Sequence, residues 1–178
     1  MAPAFFSVRT SEIRWHGILM TDDNKNLAEF ARLALAYELL TVSEIRQWGD
    51  LLLLSSDDPA NWMIEVSLIN PENAYQVLKA VPGRSDDRRT AELTCVILTV
   101  RWKSGQADIH TVRRVGWDFH LLELLPEIDQ TDWGVVLEVE CEGLSEGWRT
   151  ESEVKDLINE SLAQYQALAT ELPDWVEV

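Results

Sequence analysis

The sequence predicts an all-α fold: a single-domain bundle of about seven or eight short-looped helices. Three observations carry this. Apolar residues recur at three- and four-residue spacing through most of the 178 residues. Two capping boxes and two Asp- or Asn-proline steps punctuate that periodicity. Neither a hairpin signal nor an alternation of strands and crossover helices is present.

The elements follow in order. Residues 25–40 place Leu27, Phe30, Ala31, Ala34, Leu35 and Leu39 at helical spacing after the turn-prone "TDDN". "TVSE" follows at once: Thr41 with Glu44 three residues later is a capping box, opening a helix whose face is Val42, Ile45, Trp48, Gly49, Leu52 and Leu53. Two helices with so short a joint must fold back or cross sharply. Asp58-Pro59 reads as an N-cap with proline at the first helical position, where its missing N–H costs nothing. Trp62, Met63, Val66 and Ile69 form the stripe of that helix, with Trp62 facing inward. Asn70-Pro71 repeats the device for a helix carrying Ala74, Val77, Leu78 and Val81, which Pro82-Gly83 ends.

Ser85 or Asp86 caps a longer segment reaching about Trp102. Its middle, "TCVILTVRW", is rich in β-branched residues, so minor strand content near 94–100 is the alternative to a buried helix. A further helix runs from about Ala107 to Leu125 and stops at Pro126. Thr131-Asp132 opens the next element, yet "VVLEVECE" alternates apolar and acidic residues as a strand does, near 135–141. "TESE" (Thr150, Glu153) is the second capping box; its helix reaches Leu172 with Val154, Leu157, Ile158, Leu162, Tyr165 and Leu168 on the core face. Residues 1–20 and 174–178 read as tails, and no linker divides residues 1–178.

The segments 41–54, "SSDDPANWMIEVSLI" and "EVKDLINESLAQYQ" together resemble small helical bacterial proteins of uncharacterised function. The specific part covers residues 41–69: a tryptophan helix, an Asp-Pro step and a Trp-x-Ile-Glu-x-Ser-Leu helix. The resemblance implies a helical fold and a bacterial cytosolic origin. It transfers no functional residue.

A composition 46% apolar and 26% charged is that of a globular chain able to bury a core without disulfides or metal. Eight tryptophans are many for this length, and most are expected to anchor helix packing. "MAPAFFSVRTSEIRW" has no basic region followed by an apolar run, and no stretch of about 18 apolar residues occurs; the expectation is a cytoplasmic protein off the membrane. The net charge of −16 is unevenly spread: residues 1–78 carry −6, residues 79–114 carry +4, and residues 115–178 carry −14. Such a chain repels phosphate backbones, so nucleic acid is not an expected partner, whereas a basic protein is.

The three histidines are His16, His110 and His120. "DFHLLE" offers Asp118, His120 and Glu123, with His120 and Glu123 at the i, i+3 spacing of carboxylate-bridged metal sites. Such a site needs more carboxylates from facing helices, and an ordinary half-buried histidine is the plainer reading. Cys95 lies in apolar "LTCVIL" and Cys141 among Glu138, Glu140, Glu142 and Glu146; both settings disfavour the thiolate, so both read as structural. No phosphate loop, nucleophile elbow, dinucleotide fingerprint or paired-cysteine motif occurs, and no cofactor is expected. Arg84, Arg88, Arg89, Arg101, Lys103, Arg113 and Arg114 form either an anion site or a basic middle that offsets the acidic C-terminal third; the second reading is preferred.

The functional expectation is an acidic protein-binding module, in one version an immunity- or antitoxin-like partner of a basic toxin. Its binding residues would be Glu153, Asp156 and Glu160, on one outward side of the last helix. The alternative is a hydrolase or metal-dependent enzyme using His120 and nearby carboxylates.

Overall fold

The computed structural model describes residues 21–124 and 133–176. Among these residues the fold is all-α. Its helices are α1 (Thr21–Ala36), α2 (Val42–Leu54), α3 (Asn61–Ser67), α4 (Ala74–Ala80), α5 (Asp87–Lys103), α6 (Ile109–Leu121), α7 (Trp133–Glu146) and α8 (Glu151–Gln166). A short 3-10 turn, Ala169–Glu171, follows. No described helix is long and apolar enough to cross a membrane.

α5 is the axis. It packs against α1 on one side and α8 on the other, and ten of its 17 residues are buried. A helix buried so nearly all round has no polar face, which is why its sequence also resembles a strand. Minor strand content near 94–100 is therefore corrected to helix. The threonines that suggested a strand turn their hydroxyls onto the preceding turn: Thr94 Oγ1 donates to the Thr90 carbonyl and Thr99 Oγ1 to the Cys95 carbonyl, each at 2.8 Å. Their polar atoms are thus satisfied inside the core. Residues 135–141 are helix as well, in α7. There the acids that alternate with valine are held by cations outside α7, Glu138 by Arg113 and Glu140 by Arg149. The Thr131-Asp132 opening and the 1–20 tail lie outside the described residues.

Around α5 the remaining helices pack in pairs. α2 lies on α3, α6 on α7, and α4 on α1. Gly49 lets α2 and α3 touch backbone to backbone, since a Cβ there would fall 2.4 Å from the Ser67 nitrogen. Gly116 does the same for the Trp133 ring between α6 and α7, at 2.6 Å. The chain's C-terminal end closes over the N-terminal half: Trp175 stacks on Trp48 at 5.8 Å and tilts against Phe30 at 6.1 Å. Residues 174–176 are thus no tail, because Trp175 and Val176 are buried.

The capping signals divide into three that hold and two that shift. Both capping boxes form, Thr41 with Glu44 and Thr150 with Glu153. Asp86 caps α5, its side chain accepting from the Arg89 N–H. The Asn70-Pro71 start moves on to Ala74, with Asn73 as an N-cap that makes no side-chain cap: the Asn70 side chain accepts from the N–H groups of Glu72 and Asn73, while Asn73 accepts from the Asn70 N–H at 2.8 Å, and this closed turn precedes α4. Asp58, however, is not an N-cap. Ala60 takes that place in an extended conformation with no side-chain cap, two residues beyond a bend at Asp57 and Asp58.

The polar centre of the fold is one buried ion pair. Arg101, 8% exposed, donates to Glu44, 3% exposed, at 2.5 Å. The same guanidinium donates to the Leu39 carbonyl at 2.9 Å and to Gln106 Oε1 at 2.7 Å. The second Glu44 oxygen accepts from Thr41 N–H at 2.8 Å, completing the capping box. α1 and α6 meanwhile end on glutamates in the left-handed region, Glu38 at φ 60° and Glu123 at φ 54°. At each, the next N–H reaches back one full turn: Leu39 to the Ala34 carbonyl, Leu124 to the Phe119 carbonyl. This closure favours glycine at the left-handed position.

Two outcomes follow for urea denaturation monitored by circular dichroism. Arg101→Met leaves the Glu44 carboxylate buried without its guanidinium and lowers stability by about 3–5 kcal/mol. Glu38→Gly removes the left-handed strain and raises stability by about 1 kcal/mol.

Candidate functional site

The first candidate surface is the outer side of α8. Its buried stripe is Val154, Ile158, Leu162 and Tyr165, so Glu153, Asp156 and Glu160 all face solvent. The three sequence-predicted residues therefore share the exposed side, but they are not equivalent. Glu153 belongs to the capping box: its carboxylate accepts from the Thr150 N–H and hydroxyl, each at 2.8 Å. Those bonds hold its carboxyl below the ordinary range. Arg149 stands 3.7 Å away. Asp156 and Glu160 have no ion-pair partner among the described residues.

A residue that sequence reasoning missed joins this surface. Trp148, in the bend between α7 and α8, is 52% exposed, while Trp48, Trp133 and Trp175 are buried. Its indole covers Gly143, where a Cβ would fall 2.7 Å from the ring, and the Arg149 guanidinium lies 5.6 Å from the ring centroid. Arg149 in turn donates to Glu140 at 2.9 Å. The tryptophan is thus pinned on one side, with its N–H donating to Glu146 at 3.1 Å, and open on the other. The only sequence signal was its place between a glycine and a capping box, which makes it a loop residue.

The second candidate is a groove of about 900 Å³ where the C-terminal end of α5, the start of α6, α7 and the first half of α8 meet. Trp102, Ile109, Cys141 and Leu144 supply its apolar lining. The Trp102 N–H donates to Asn159 at 2.8 Å, which fixes the indole plane against α8. Its charged lining consists of Lys103, Arg113, Lys155, Asp108 and Glu151, beside His110.

The remaining sequence candidates do not assemble. His120 and Glu123 share no helical face, because α6 ends at Leu121 and Glu123 sits in the left-handed closing turn. Asp118 accepts from the Tyr37 hydroxyl at 3.0 Å, and the His120 ring lies against Trp117 at 5.6 Å. Among the described residues no three His, Cys, Asp or Glu side chains converge as metal ligands. His16 lies outside those residues. The basic middle is likewise dispersed: Arg101 is internal, Arg89 pairs with Glu92 and Glu171, Arg113 pairs with Glu138, and Arg114 lies over the Tyr37 ring. Two of these, Arg89 and Arg113, do meet acids of the C-terminal third.

Comparison with family models, with curated proteins and with solved structures finds no match.

Both cysteines are free and buried. Burial pushes the Cys95 thiol up to about 12. Burial also raises Cys141; Arg113 draws it partway back, and Glu138 and Glu140 raise it further. Neither is a nucleophile at neutral pH. The expected outcome with an aromatic disulfide reagent at pH 8 is no rapid release from the native protein, and release from both thiols once urea unfolds it.

Proposed function

We propose that the protein is a binding module for a basic protein, engaged through the acidic surface of α7 and α8. One observation carries the reading: the exposed, pinned Trp148 donates to Glu146, in the bend that leads to an α8 face whose Asp156 and Glu160 have no cation of their own among the described residues. Tryptophan and arginine dominate the energetics of protein interfaces, and surrounding charge chiefly sets the rate of encounter. A solvating surface alone gives no reason to display an indole. Between Trp133 and Val176 the chain carries ten acidic residues against two basic ones, so the field near Trp148 attracts a cationic partner. An immunity- or antitoxin-like role toward a basic toxin is the version of this reading in which masking the partner is the function.

The test is capture on the immobilised protein at low salt, followed by kinetics with the retained basic partner. Glu153→Gln with Asp156→Asn and Glu160→Gln slows association and flattens its salt dependence, while the fold is kept because glutamine also serves a capping box. Trp148→Ala acts mainly on dissociation and weakens binding by about tenfold or more. Equal kinetics for all variants would leave the acidic surface with a solvating role only.

A further inference from the structure

We infer that the groove between α5, α6, α7 and α8 is a binding site for a small organic anion with an apolar body. Its size and lining are those of a small-molecule site. A volume of about 900 Å³ falls within the range of such pockets, which are mostly apolar with a few placed polar groups. Here the apolar part comes from Trp102, Ile109 and Leu144, all only half-buried, so their outer surfaces remain available.

The chemistry of the ligand follows from which charged side chains still have bonding atoms to offer. Asp108 is the N-cap of α6, its carboxylate accepting from the Thr111 N–H at 2.8 Å and the Thr111 hydroxyl at 2.9 Å. Glu151 is paired with Lys155 at 2.5 Å. Arg113 is held by Glu138. Both acids of the lining are thus occupied. Lys103 is exposed, lines the groove and has no partner among the described residues. The charged side chain of the lining whose hydrogen-bonding atoms remain free for a ligand is therefore Lys103, a donor, whereas Asp108 keeps its charge but has its carboxylate turned to Thr111.

The net charge of −16 does not close the site to anions. Glu151, Lys155 and Asn159 line the groove, whereas Asp156 and Glu160 each follow a lining residue by one position, about 100° farther around the helix. Between separated exposed charges the field decays over about 8 Å at physiological ionic strength. A carboxylate or sulfonate beside Lys103 then meets one near cation, while its apolar body covers Trp102 and Leu144.

The probes are 1-anilinonaphthalene-8-sulfonate and its neutral counterpart N-phenyl-1-naphthylamine, titrated into the full chain by fluorescence and calorimetry. The expected result is saturable binding of one sulfonate per chain, with the neutral compound bound about tenfold more weakly, as for loss of one charged contact. Lys103→Glu, an exposed change that leaves the fold intact, weakens the sulfonate by at least that factor and the neutral compound little. Leu144→Asp weakens both. Leu68→Asp, at the exposed apolar surface of the chain between α3 and α4, changes neither. The inference is overturned by non-saturable binding, by equal affinity for the two probes, or by a sulfonate indifferent to Lys103→Glu.

Discussion

The buried contact between Arg101 and Glu44 is the constraint on which the arrangement of the helices depends. Each partner would be costly alone in the interior, so each requires the other in place. Glu44 cannot move, because its second oxygen closes the cap of α2. Arg101 cannot move either, because its remaining donors hold the Leu39 carbonyl and Gln106. One pair therefore fixes the corner between α1 and α2 against the far end of α5. The peptide groups just beyond that end are held too, since the Gln106 and Ala107 N–H groups return to the Arg101 carbonyl. α6 starts from there, and with it the wall of the groove.

The same device recurs in weaker form. Lys25 donates to the Lys79 carbonyl at the end of α4, and Arg46 donates to the Ile69 carbonyl just beyond α3. Short helices leave many terminal carbonyls for few residues, and remote cations satisfy some of them here. These bonds span 54 and 23 residues, so no local pattern announces them. This is where reading the chain stops short. Thr41 with Glu44 and Thr150 with Glu153 were legible because the acceptor and donor lie three residues apart. That Glu44 is also a core residue was not legible, and Arg101 appeared only as one member of a basic stretch. Trp175 falls in the expected tail because the periodicity ends before it; its place is set by Trp48, far away in sequence.

The candidate surfaces divide in the same way. The stripe of Glu153, Asp156 and Glu160 follows from helical period alone, and the structure keeps all three on the solvent side. Trp148 did not follow, since a tryptophan's exposure depends on what the bend leaves uncovered, and here Gly143 and Arg149 take only part of the ring. The groove was illegible for a stronger reason: its lining comes from four helices and from residues as far apart as Trp102 and Asn159. In the other direction, spacing suggested a pair at His120 and Glu123 that the left-handed turn dissolves. A three-residue interval means a shared face only while the helix continues.

Charge is partitioned more finely than the net of −16 conveys. In α7, Glu138 and Glu140 are drawn to opposite neighbours, one to Arg113 of α6 and one to Arg149 before α8. The paired acids thus act as joints between helices, and only the unpaired ones give the surface its field. α8 then presents three directions at once. Val154 and Ile158 face the core, Glu151 and Lys155 face the groove as a neutral pair, and Asp156 with Glu160 face outward. The neutral pair is what allows the two proposed roles to be separate, since a bare Glu151 would extend the negative field into the groove beside Lys103. A single 16-residue helix can therefore border a proposed anion site on one side and present a proposed cation-seeking surface on another.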